Sequence, residues 1–166
     1  MIDKLISKAI ELGSKKAVII STDTIVVSRW VQLKCQYGCP EYGKRLTCPP
    51  HSPSYERMRE ILEEYNNGLL IHADKSWLVR YIVYELEKEA FKQGYYKAFG
   101  MGAGPCGLCG SCDIEKEKCI RPDEARPSME ACGIDVYATV RNNGFNINTL
   151  SSDLDNLNIF GLVLLE

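Results

Sequence analysis

The sequence has little of what several classes of protein require. It contains only 2 histidines and no block of like charge, since 20 Lys and Arg are interspersed with 22 Asp and Glu for a net charge of −2. A nucleic-acid-binding protein would show a basic stripe. No run approaches the roughly 18 to 20 apolar residues of a membrane helix, and the first helix carries Lys4, Lys8 and Glu11 where a signal peptide would be apolar. We therefore expect a cytoplasmic protein that binds neither nucleic acid nor membrane.

Cysteine, in contrast, is abundant, with 8 in 166 residues. Cytosolic thiols are kept reduced, so these cysteines are not expected to form a disulfide framework. A single cysteine is often an ordinary core residue. Cysteines two residues apart on glycine-rich loops do not fit that explanation, and they indicate metal ligands.

Apolar periodicity predicts an α+β or α/β fold, and the length of the chain favours residues 1–166 as a single domain. A strand, helix and second strand between residues 69 and 99 predict a β-α-β unit with a right-handed parallel crossover in a mixed sheet. Two segments without periodicity, 34–53 and 100–119, are expected to form metal-binding loops. The predicted helices cover 2–12, 54–65, 77–93 and 122–131, and the predicted strands cover 17–20 and 25–28 as a hairpin, 69–73, 95–99, 134–141, 145–147 and 160–165.

The second cysteine segment carries the strongest motif. Cys106, Cys109, Cys112 and Cys119 follow the pattern C-x2-C-x2-C-x6-C. A tight loop with two-residue gaps directs successive sulfurs inward, as an iron-sulfur cubane requires, and the run is similar to the C-x2-C-x2-C-x3-C-P run of bacterial ferredoxins. The last gap is longer here, and the proline, Pro122, comes three residues after the last cysteine.

Zinc is the competing metal. Structural zinc sites usually pair two C-x2-C units across a gap of about 15 to 20 residues. Three cysteines in one C-x2-C-x2-C run fit that template badly. The pattern therefore favours a [4Fe-4S] cluster.

The first cysteine segment supplies only three thiols, because Cys35, Cys39 and Cys48 follow the pattern C-x3-C-x8-C. Cys132 is the remaining cysteine, and it completes a second set of four by arithmetic. It could equally be a core thiol, in which case the first cluster has an open iron or takes His51 as its fourth ligand. We predict that Cys132 closes this set, giving two [4Fe-4S] clusters in all.

The chain resembles a family of predicted metal-binding proteins, of iron-sulfur type, found mainly in anaerobic archaea and bacteria. The resemblance spans most of the chain from about residue 20 onward, and it implies metal binding by the cysteines without implying a reaction. The motifs that carry it are Cys35 to Pro40, Thr47 to His51, Gly104 to Cys112, and Ala125 to Val136.

Three functions compete. Two fully ligated clusters predict an electron carrier or accessory redox subunit that serves a redox partner protein. A three-cysteine cluster with an open iron predicts a redox enzyme, whose site would be lined by Glu41, Tyr42, Arg45, Thr47 and His51. Clusters that only hold loops together would make a structural module, since fold and cluster do not by themselves define function. We favour the carrier, and Cys132 is the residue that separates it from the enzyme. The sequence leaves the catalytic residues and the oligomeric state undefined.

Overall fold

The computed structural model describes residues 1–149 and 157–166. It confirms an α+β fold, with five α-helices and four strands in the described part of the chain. The helices are α1 (Ile2–Glu11), α2 (Arg29–Gly38), α3 (Tyr55–Leu62), α4 (Ser76–Lys92) and α5 (Val136–Asn142), and the strands are β1 (Lys16–Ser21), β2 (Asn67–Ala73), β3 (Phe99–Met101) and β4 (Ile159–Leu164).

The strands form one sheet in the order β1-β2-β4-β3, and every neighbouring pair is antiparallel. The last strand in the chain is therefore inserted between β2 and β3. Those two strands run in the same direction because each is antiparallel to β4. The predicted β-α-β unit is thus present in split form, with its two strands separated by β4.

Both faces of the sheet are buried, because alternate residues of β2 enter two different cores. Leu69 and Ile71 pack with Leu86 of α4 on one face. Leu70 packs on the other face with Met58 of α3 and with the segment that contains Cys132. The second core therefore lies directly beneath the region where the cysteines collect.

Several local predictions were wrong. Residues 25–28 do not pair with β1, since Val27 instead forms an isolated bridge to Ile134, and β1 pairs with β2. The predicted strand 134–141 is the helix α5, which Asp135 caps by accepting a hydrogen bond from the Ala138 amide at 2.9 Å. Residues 145–147 belong to no strand, and in place of the helix predicted over 122–131 the chain forms only a short 3-10 turn, Glu130–Cys132.

Apart from the strand predicted over 95–99, the remaining predicted elements are confirmed to within a few residues. The helix predicted over 54–65 is α3, capped by the Ser54 hydroxyl, which accepts from the Arg57 amide at 3.3 Å. The strand predicted at 95–99 begins later, at Phe99. No helix in the described part of the chain is long and apolar enough to span a membrane.

Candidate metal centre

The first cysteine segment begins in a helix rather than in a loop. Cys35 lies in the last turn of α2, and Cys39, the residue after the helix, donates its amide to the Cys35 carbonyl at 3.3 Å. The chain then turns back on itself, with the Gly43 amide donating to the Pro49 carbonyl at 2.9 Å. This return brings Cys48 to the helix end that carries the other two cysteines.

Side chains of α2 and of the following loop hold this region against the 3-10 turn. Gln32 donates to the carbonyls of Pro53 and Ala131, each at 2.9 Å, and its side-chain oxygen accepts from the Tyr55 amide at 3.1 Å. The Ser52 hydroxyl donates to the same Ala131 carbonyl at 2.6 Å. These bonds place Cys35 close to Glu130 although the two are far apart in sequence.

The three cysteines line one cavity of about 150 Å³, together with Tyr42 and Glu130. Burial, reinforced by the neighbouring Cys39, raises the pKa of the Cys35 thiol. Burial also raises the pKa of Cys48 to about 11, although the nearby Thr47 hydroxyl opposes the shift. Thiols with raised pKa values release protons when they bind metal.

Two polar atoms in this region are shut off from solvent without a hydrogen-bond partner among the described residues: the Thr47 hydroxyl and Oε2 of Glu130. Burial raises the pKa of the Glu130 carboxyl, while its own backbone amide and the Ser128 hydroxyl lower it. Buried polar groups are nearly always paired in native proteins. Two orphaned polar atoms beside three thiols therefore suit a site that is completed by an added group.

Cys132 is placed differently from the other cysteines. It is 1% exposed and belongs to the apolar core beneath the sheet. Burial, and then the charge of Glu130, raise the pKa of its thiol to about 12. Cys132 is not among the residues that line the cavity shared by Cys35, Cys39 and Cys48. Ligation by Cys132 stays a prediction.

The second cysteine segment has no regular secondary structure from residue 103 to residue 129. Its four cysteines are each half-buried. Guanidinium groups donate to its backbone carbonyls: Arg121 to Leu108 at 3.1 Å, and Arg80 to Ala103 at 3.0 Å. Arg121 in turn forms an ion pair with Glu124 at 2.7 Å.

The two cysteine segments meet through Arg45. Its side chain donates to the carbonyls of Cys109 and Gly110 at 3.1 and 3.3 Å, and it forms an ion pair with Glu41 at 2.6 Å. The pKa of Arg45 is raised first by Glu41 and, to a smaller extent, by the nearby Cys112 thiol. Pro105, next to Cys106 in the chain, lines the cavity of the first set. The two sets of thiols are therefore neighbours.

A larger cavity of about 410 Å³ shares Cys35, Cys39 and Glu130 with the smaller one. Much of its lining is apolar, with Trp30, Ile134 and Phe160 among the residues that contribute. This volume lies within the roughly 300 to 1,000 Å³ of small-molecule sites. A molecule in this cavity would be adjacent to two of the cysteines.

Neither histidine lines the two cavities. His51 is half-buried, and its backbone amide donates to the Cys48 carbonyl at 2.9 Å, but it does not line either cavity. His72, in β2, stacks on Phe160 with ring centroids 4.8 Å apart. Of the residues predicted to line an open-iron site, Tyr42 does line the cavity, and Glu41 and Arg45 pair with each other beside it.

Sequence reasoning missed Glu130. It precedes Cys132 by two residues, but glutamate is a residue that is rarely buried, and nothing in its neighbours indicates a carboxylate turned inward. Gly133 is part of the reason for its position, because the residue has φ +79° and a Cβ there would stand 2.7 Å from Cβ of Tyr55. The chain can therefore turn closely against α3 at this point, directly after the turn that carries Glu130 and Cys132.

The donor set fits a sulfur-ligated metal group. In the described part of the chain, no three side chains of His, Cys, Asp or Glu are gathered closely enough to hold a single metal ion. Thiolates that ligate a polynuclear cluster surround an inorganic core and do not converge on one atom. The thiols facing a shared cavity, together with the second loop, define a protein whose site is built to bind metal.

Residues 18–165 match the family described as "Predicted metal-binding protein (DUF2284)", and the chain belongs to that family. No curated protein matches the chain, and no solved structure matches it. Metal binding is therefore supported both by the family and by the arrangement of the eight cysteines.

Proposed function

We propose that this chain is an iron-sulfur protein that holds two [4Fe-4S] clusters and acts as an electron carrier or accessory redox subunit. The observation that carries the proposal is the meeting of two cysteine sets through Arg45, whose guanidinium donates to the Cys109 carbonyl at 3.1 Å. Such a cluster takes up and returns single electrons. Two neighbouring centres would pass electrons within the chain and on to a partner protein.

The ligands of the second cluster would be Cys106, Cys109, Cys112 and Cys119. The first cluster would be held by Cys35, Cys39 and Cys48 together with a fourth ligand, for which the count of eight cysteines alone predicts Cys132. The shared cavity of about 150 Å³ supports a bulky group between the first three thiols. A zinc site would need four ligands within about 2.0 to 2.3 Å of one ion.

Neighbouring groups of the chain suit this role. The Thr47 hydroxyl lies beside Cys48, where it favours the thiolate. Arg45 brings a positive charge next to the second set of thiols. Hydrogen bonds and charges around the sulfurs set the reduction potential of a cluster.

An exposed aromatic surface next to the second set supports docking of a redox partner. Trp77 is 58% exposed and Tyr81 is 49% exposed. Both line a pocket of about 240 Å³ together with Cys106. Tryptophan and tyrosine are enriched in protein interfaces. A partner that binds there would lie close to the second cluster.

A redox enzyme is the second candidate, and the larger cavity is the observation that favours it. A cavity of about 410 Å³ is not needed by a carrier, and it reaches Cys35 and Cys39. An iron of the first cluster that faced this cavity would be accessible to a small, largely apolar substrate.

Metal and sulfide analysis tests the proposal. Protein matured and purified anaerobically should be brown and should contain about eight irons and eight acid-labile sulfides per chain, because each cubane has four of each. Iron, sulfide and zinc are measured in the same sample. Stoichiometric zinc with negligible sulfide, in protein produced with ample iron, would overturn it.

A further inference from the structure

Glu130 carries a buried carboxylate oxygen that lacks a hydrogen-bond partner among the described residues. The residue as a whole is half-buried, but this oxygen, Oε2, is sealed from solvent. Carboxylates are almost never buried unless they are paired or bind a metal. No Lys or Arg of the described chain forms an ion pair with Glu130.

The candidate ligands of the first cluster surround Glu130. It lines the cavity of about 150 Å³ together with Cys35, Cys39 and Cys48. It also lines the larger cavity together with Cys35 and Cys39. Glu130 therefore stands at the boundary between the proposed cluster and the space a small molecule could enter.

We propose that the Glu130 carboxylate, and not the Cys132 thiol, is the fourth ligand of the first cluster. The inference rests on the proposed function, since it assumes that a cluster binds there. Cys132 is then a core thiol, which agrees with its 1% exposure and with its place in the apolar core under the sheet.

The proposal makes one iron different from the other three. Thiolates are the softer ligands that iron-sulfur clusters select, whereas carboxylates suit harder ions. The iron held by Glu130 is therefore the one that exchanges its ligand or leaves most readily. Glu130 also lines the larger cavity. A molecule that replaced Glu130 on this iron would therefore carry a small donor group, such as a thiolate, on a largely apolar body.

Three variants test the assignment: Glu130→Gln removes the anionic ligand at nearly constant shape, Cys132→Ala removes the core thiol, and Glu60→Gln changes an exposed glutamate of α3 as the control. Each is purified anaerobically, analysed for iron and sulfide, and reduced. Electron paramagnetic resonance spectra are then recorded while cyanide or a small thiol is added.

In Glu130→Gln we expect cyanide or the small thiol to shift the electron paramagnetic resonance signal of one cluster only. The shift should occur at concentrations about tenfold or more below those that the wild type needs. Cys132→Ala and Glu60→Gln should respond as the wild type does. A response gained by Cys132→Ala and absent from Glu130→Gln would overturn the assignment and make Cys132 the ligand. Wild-type protein without iron and sulfide would instead refute the proposed function itself.

A measurement on wild-type protein keeps the inference testable if Glu130→Gln does not fold. The loaded protein is incubated with ⁵⁷Fe(II), and the incorporated isotope is located by Mössbauer spectroscopy. We expect one iron per chain to exchange, in a site distinct from the thiolate-bound irons. Absence of exchange, or equal exchange into all sites, would contradict a carboxylate-held iron.

Discussion

The two cysteine regions are built in different ways. The first is part of the fold: Cys35 lies in the last turn of a helix, and hydrogen bonds from Gln32 and Ser52 join its surroundings to the turn that carries Glu130. The second is a long segment without helix or strand, fastened mainly by arginine side chains that donate to its carbonyls. We therefore expect the first region to keep its shape without metal, and the second to depend more on metal for its order.

Substituting one cysteine of each set in turn should give the largest effect, the loss of one cluster. Cys109→Ser should remove the second cluster, with a loss of about four irons and four sulfides per chain, and should leave the spectrum of the other cluster unchanged. Cys48→Ser should do the reverse. Iron and sulfide analysis with electron paramagnetic resonance measures both. If either substitution removed both clusters, the two regions would not be independent.

Gln32→Ala should lower the stability of the first cysteine region without affecting the second. Its side chain makes three hydrogen bonds to other segments, so at roughly 1 kcal/mol each we expect a loss of about 2 to 4 kcal/mol in unfolding free energy. Denaturant unfolding of the metal-free and loaded protein measures the loss. Gln36→Ala, one turn further along the same helix and exposed, is the control and should change stability by less than about 0.5 kcal/mol. Equal losses in both variants would contradict the role given to Gln32.

Arg45→Gln should alter the link between the two regions. It removes a positive charge beside the second set and leaves Glu41 unpaired, so the more negative, reduced cluster is disfavoured. We expect the reduction potential of the second cluster to fall by roughly 60 mV, a tenfold change in a one-electron equilibrium. Anaerobic redox titration measures the potential. Lys116→Gln, at an exposed lysine of the second cysteine segment, should lower this potential by less, and a larger change than in Arg45→Gln would contradict the role given to Arg45.

The smallest effect concerns the thiols of the metal-free chain. Because burial raises the pKa of Cys48 to about 11, its thiolate fraction rises about tenfold per pH unit below that value, and so should its rate of alkylation. Cys39 is exposed and should be labelled first at pH 8. Mass spectrometry of iodoacetamide-treated protein measures each site. Labelling of Cys48 as fast as Cys39 at pH 8 would contradict the buried first region.

Local sequence pattern was enough to predict the helices and strands whose apolar residues follow a clear pattern. The helix α4, with apolar residues every three or four positions, and the strand β2, a short apolar run after Asn66, were predicted within two residues. The alternation of residues 134–141 predicts a strand, but the Asp135 side chain caps a helix that begins at the next residue. The position of β4 in the middle of the sheet follows from long-range pairing with β2 and β3, which no local pattern records.

The sequence by itself determined the candidate chemistry: eight cysteines, four of them in a run that favours a cluster, and membership of a family of predicted metal-binding proteins. Only the tertiary structure decided which thiols share a cavity, that Cys132 lies in the core, and that Glu130 turns inward beside Cys35. The physical reason is that thiol spacing is a property of a short stretch of chain. The burial of a carboxylate, in contrast, depends on helices and turns that meet only after folding.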